Sequence, residues 1–110
     1  MRVLIDECID ERFRNSFPSH DCQTARYAGL AGLKNGDLLV AAEAAGFDVF
    51  VTVDQGIEYQ QNITGRNIAI ILLRVKSNRI PELFRLSGLP RACRTVRPGQ
   101  IRQAVNRRFH

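Results

Sequence analysis

The order of apolar runs along the chain predicts one α/β domain built on a mostly parallel sheet with helices on both faces. Three observations carry this expectation. Val3-Leu4-Ile5, Val49-Phe50-Val51-Thr52-Val53 and Ile68-Ala69-Ile70-Ile71-Leu72-Leu73 are nearly continuous apolar runs, without the polar alternation of a strand that has one face in water. Segments with helical spacing separate them, so strand and helix alternate in sequence. At 110 residues the chain has room for one sheet with its covering helices, but not for two cores.

The first element, Val3-Leu4-Ile5, is short and β-branched, and stops at Asp6-Glu7. Ile9, Phe13 and Phe17 then fall at helical spacing, and Pro18 ends that segment. Asp21 to Ala25 is a strand of moderate polarity, suited to a sheet edge, and Tyr27 to Gly36 is a glycine-rich loop. Asn35 offers a helix cap and Asp37 a first-turn carboxylate. Leu38, Leu39, Ala42 and Ala45 supply the apolar stripe of that helix, and Gly46 its left-handed stop. The strand Val49 to Val53 ends at Asp54, and a short helix or turn covers Glu58 to Ile63. The most apolar run, Ile68 to Leu73, belongs at the centre of the sheet. Leu83, Phe84 and Leu86 mark a helix opening near Pro81. Pro90 and Pro98-Gly99 interrupt the remainder of the chain, and Ile101 to Val105 is compatible with a final strand or a short helix. Residues 1–105 form the expected domain and 106–110 a frayed basic tail.

Composition narrows the function classes. No stretch of ~18 apolar residues is present to span a membrane. The three-residue apolar run at the start is followed by two acids, which predicts no signal peptide and a cytoplasmic chain. Cys8, Cys22 and Cys93 are odd in number and form no C-x-x-C pair. With His20 and His110 as the only histidines, they argue against a structural zinc site. His20, just ahead of the second strand, reads as a loop residue rather than a base. No P-loop, G-x-S-x-G elbow or G-x-G-x-x-G fingerprint occurs. The net charge of +5 conceals a polarity: residues 1–58 carry five basic and ten acidic side chains, residues 59–110 eleven basic ones and Glu82 alone as an acid. A half so rich in arginine favours a polyanion or an acidic protein as partner.

The acids fall where a parallel sheet binds ligands, outside the carboxyl ends of its strands. Asp6 closes the first strand, Asp54 closes the strand Val49 to Val53, and Asp37 opens the helix leading into that strand. Taken singly, each also suits a plain helix cap. If they converge, the result is a carboxylate group with no histidine or thiol, whose mutual repulsion a cation relieves. Hard divalent ions with oxygen ligands, Mg²⁺ or Mn²⁺, match it, and such ions activate water against a phosphodiester. Glu58, four residues after Asp54, joins the site if its segment is helical, whereas Glu43 points away from Asp37. Tyr59, within Tyr59-Gln60-Gln61-Asn62, either stacks on a base or sits half buried in a solvated turn. Arg66, Arg74, Lys76 and Arg79 come next in sequence and suit contacts to a nucleic-acid backbone.

These residues together resemble a known family. Leu4-Ile5-Asp6-Glu7, Asn35-Gly36-Asp37, Val51-Thr52-Val53-Asp54 and Tyr59-Gln60-Gln61-Asn62 are similar, in order and spacing, to the small PIN-like proteins. The strand Asn67 to Leu73 followed by Arg74-Val75-Lys76-Ser77-Asn78 extends the resemblance over residues 1–105. It implies a PIN-like three-layer α/β/α sandwich with a mostly parallel central sheet. The implied activity is a Mg²⁺- or Mn²⁺-dependent ribonuclease, the toxin of a bacterial toxin–antitoxin pair, with metal ligation at Asp6, Asp37 and Asp54. The implied partners are RNA and a cognate antitoxin protein, with a homodimer left open. The chain departs from the pattern where relatives often carry a further acid two positions after the strand-end Asp, since Gly56 occupies that place and Glu58 is the substitute at hand.

Two rivals belong to other classes. One is a catalytically degenerate PIN-like module that binds nucleic acid or an acidic antitoxin through the arginine-rich half. The other is a phosphotransfer receiver domain, which shares a parallel sheet with an acidic pocket and requires a lysine at the end of the last strand, for which Lys76 is the candidate.

Overall fold

The structure is a computed structural model and describes residues 2–7, 9, 21–33, 35–53, 65–74 and 96–105. Five strands and one helix lie in this part: β1 (Arg2–Ile5), β2 (Asp21–Thr24), α1 (Asn35–Ala44), β3 (Val49–Thr52), β4 (Ala69–Arg74) and β5 (Ile101–Val105). The strands form one sheet in the order β2-β1-β3-β4-β5, and every neighbouring pair is parallel. The three apolar runs thus become adjacent central strands, and the polar strand β2 lies at an edge. Ile101–Val105 resolves as a strand, the other edge. The helices expected over Ile9 to Phe17 and from Pro81, the Glu58–Ile63 segment and the 106–110 tail lie outside the described residues, as do Cys8, Cys93, His20 and His110, with the sole exception of Ile9.

The absence of alternation in the central strands has a direct packing consequence. Successive side chains of a strand point to opposite faces, so an all-apolar strand feeds two cores. Val3, Ile5, Val49, Val51, Ala69, Ile71 and Leu73 build one, joined by Ile9 and Val96. Leu4, Phe50, Ile68, Ile70 and Leu72 build the other, which α1 covers with Leu38, Leu39 and Ala42. The register aligns Leu4 with Phe50 and Phe50 with Ile70, a row of three fully buried side chains across β1, β3 and β4. Burial of each is worth about 1.5–3 kcal/mol.

Helix α1 takes in Asn35 as its first residue instead of leaving it just outside as a cap, a one-residue difference of the kind helix ends show. Its other end is fixed by sequence. Gly46 adopts φ +85°, its N–H donates to Glu43 O at 3.1 Å, and the Phe47 N–H donates to Ala42 O at 3.0 Å. This is the Schellman arrangement, with Phe47 and Ala42 both in the core that the helix covers. Ala45, expected in the apolar stripe, is exposed past the helix end, and Phe47 fills the buried position.

Arg2 ties this corner together at the amino end of the sheet. Its Nη1 donates to Ala45 O, its Nε donates to Asp21 Oδ2 at 3.2 Å, and its guanidinium lies 4.4 Å from the Phe47 ring centroid. Its backbone N–H donates to Asp48 Oδ2 at 2.8 Å, while its carbonyl accepts from the Asp48 N–H at 2.8 Å. The ion pair with Asp21 is largely exposed, so the cation–π contact and the capped helix carbonyl outweigh it.

Candidate functional site

Strand order locates the site. From β1 the chain steps outward to β2, then crosses back over β1 to β3 and continues to β5. The order reverses between β1 and β3, and in a doubly wound parallel sheet a ligand crevice opens outside the carboxyl ends at such a point. Asp6 is the residue immediately after β1 there.

The register sets what Asp6 meets. Ile5 pairs with Val51, which brings Asp6 beside Thr52. The Asp6 N–H donates to Val51 O at 2.9 Å and its carbonyl accepts from the Ile9 N–H at 3.0 Å, so the backbone is fixed on both sides. The Thr52 hydroxyl donates to Asp6 Oδ2 at 2.6 Å. Thr52 is fully buried and Asp6 only 9% exposed. A hydroxyl without a partner at this depth is costly, and Asp6 supplies the acceptor.

Asp37 stands in the first turn of α1, exposed. A crossover helix runs back against its parallel strands, so its amino end lies at the same end of the sheet as Asp6. The helix dipole favours a carboxylate there. The structure therefore brings Asp6 and Asp37 to one end of the sheet, the end at which β3 finishes with Thr52. Asp54, Glu58, Tyr59, Lys76 and Arg79 lie outside the described residues. Among the described residues no three acidic, histidine or cysteine side chains gather in a metal-holding group.

The basic residues divide. Arg74 ends β4 at the carboxyl end, on the side of Asp6. Arg66 precedes β4 at the opposite end, and its Nη1 lies 3.5 Å from Glu43 Oε2 near the end of α1. Sequence proximity grouped the two arginines, but the length of a six-residue strand separates them. Glu43, read as a surface residue pointing away from Asp37, is half buried and serves as the partner of Arg66.

Thr52 stands within Val51-Thr52-Val53-Asp54, but nothing in that motif assigns its hydroxyl a role. The available signal is a lone hydroxyl in an otherwise apolar buried strand, which demands an acceptor within reach. Comparison with protein-family models, with curated proteins and with solved structures returned no match. The molecule is thus placed by its own geometry: an all-parallel α/β sheet with a buried, hydroxyl-bonded carboxylate at its switch point.

Proposed function

We propose that the chain is a metal-dependent ribonuclease of PIN-like type, acting as the toxin of a toxin–antitoxin pair. The PIN-like three-layer sandwich, the RNA substrate and the antitoxin partner all belong to this proposal. The observation that supports it most is Asp6, a buried carboxylate at the β1/β3 switch point, oriented by Thr52. Asp37 at the same end would complete an all-oxygen donor set with Asp54, two residues beyond β3 in sequence, and with Glu58 as a further acid. Such a set fits Mg²⁺ or Mn²⁺ rather than a softer metal. The bound ion would activate water and offset charge on the phosphodiester. Thr52 fixes which Asp6 oxygen is engaged by the protein, and Arg74 stands at the end where an RNA backbone would pass.

The receiver-domain reading loses support, because β5 ends at Val105 and no lysine occurs from residue 96 onward. The binding module remains the alternative outcome of the test. Titrating Mn²⁺ against the parent should raise its melting temperature, since a ligand held only by the native state stabilises it by about 2.7 kcal/mol at a hundred times its Kd. Asp54→Asn should remove both this response and RNA cleavage, with apo stability level or higher as repulsion is relieved. Absence of Mn²⁺ binding at millimolar concentration by calorimetry would overturn the nuclease and leave the binding module.

A further inference from the structure

The loop after β2 carries Tyr27, which at 73% exposure is the most accessible large apolar side chain among the described residues. Its backbone is far from loose. The Tyr27 N–H donates to Thr24 Oγ1 at 3.2 Å and the Ala28 N–H to Thr24 O at 3.0 Å. The Gly29 N–H, with φ +78° at that glycine, donates to Arg26 O at 3.1 Å, and the Leu30 N–H donates to Ala25 O at 2.8 Å. Ala25 is buried, while Ala28 and Leu30 pack against the core under α1. Arg26 and Tyr27 therefore occupy the tip of a turn anchored on both sides, and both side chains face water.

The same loop is tied to the end of β1. The Ala25 N–H donates to Ile5 O at 2.8 Å, and the Gly32 N–H reaches Glu7 Oε1 at 3.4 Å. These two links fall on either side of Asp6 in sequence. A flat aromatic face and an adjacent cation are thus held on a fixed turn at the carboxyl end of the sheet, tied to the end of β1. That pairing suits a single-stranded polynucleotide, whose unpaired bases stack on aromatic rings while its phosphates meet cations. A duplex hides its bases and offers no such face.

We propose that Tyr27 is a stacking platform for an unpaired base of single-stranded RNA and that Arg26 contacts an adjoining phosphate. The proposal rests on the ribonuclease reading for its choice of RNA, and its test separates the two. Binding of a short labelled single-stranded RNA is measured in EDTA, so that no cleavage intervenes. Tyr27→Ala should weaken binding about five- to a hundredfold, while Tyr27→Phe, which keeps the ring, should stay within about twofold. Duplex RNA of the same sequence should show no difference between parent and Tyr27→Ala. The chain has two tyrosines and no tryptophan, so in a Tyr59→Phe background the remaining tyrosine fluorescence reports Tyr27 alone and should be quenched by the RNA. Equal affinity of Tyr27→Ala and parent, absence of quenching, or absence of any RNA binding overturns the platform. Tyr27-dependent binding without Mn²⁺-dependent cleavage upholds the platform and overturns the nuclease. Cleavage that Tyr27→Ala performs at parental KM does the reverse.

Discussion

Asp6 and Thr52 present complementary demands. A buried carboxylate needs donors and a buried hydroxyl needs an acceptor, and the β1–β3 register satisfies both with one contact of 2.6 Å. Thr52→Val conserves the branched shape and deletes the hydroxyl that donates to Asp6. Since the charged acceptor then stays buried without it, urea unfolding should show a loss of about 1.5–3 kcal/mol. If Asp6 is also a metal ligand, Thr52 orients it from behind, and Mn²⁺ affinity should fall about 10- to 100-fold. Unchanged stability would mean that the hydroxyl contributes nothing net, and unchanged Mn²⁺ affinity that Asp6 is not a ligand. Asp6 was legible in sequence because an acid interrupts an apolar run. Its partner was not, because threonine is an ordinary strand residue and only the register shows what stands opposite it.

At the scale of elements, the Gly46 stop of α1 shows how local sequence and long-range contact meet. Gly46 needs the left-handed conformation, and a Cβ there would also lie 3.2 Å from Arg2 Nη1. Gly46→Ala should therefore cost about 1–2 kcal/mol from the backbone alone. Any displacement of Arg2 would add to this, visible as a lower melting temperature and a circular-dichroism signal otherwise unaltered. No change in melting temperature would mean that the helix end relaxes at little cost. The helix stop, the central strands and the polar edge strand were all readable, since each rests on a strong local signal: a positive-φ glycine, an apolar run, a run of mixed polarity. Ile101–Val105 was ambiguous because five residues with Arg102 and Gln103 in the middle satisfy neither period. Pairing with β4 from Ile70↔Ile101 to Arg74↔Val105 decides it. The Pro98-Gly99 pair that seemed only an interruption builds the turn into that strand, with Gly99 at φ +82° and the Gln100 N–H donating to Arg97 O at 3.1 Å.

For the molecule as a whole, the charge polarity of the sequence and the ends of the sheet have to be considered together. Eleven basic side chains lie beyond residue 58, yet Arg66 precedes β4 at the amino end, paired with Glu43, while Arg74 ends β4 at the carboxyl end. Charge that is merely solvated has no preferred end. Charge that guides RNA to the switch point must sit at the carboxyl end. The two arginines thus form an internal control within one chain. Each phosphate neutralised on a single strand contributes about −0.7 to the slope of log affinity against log salt. With about three such contacts, raising salt from roughly 50 to 200 mM should weaken RNA binding about twentyfold. Reversing Arg74 and Arg79 to Glu should weaken binding and flatten the slope, without unfolding the domain. Arg66→Gln, which only ends the long, part-buried pair with Glu43, should leave the slope unchanged and lower stability by no more than about 1 kcal/mol. Equal effects of the two changes would mean that RNA follows the net charge of the surface and not the carboxyl end of the sheet. Salt-insensitive binding would instead point to a protein partner for the basic half.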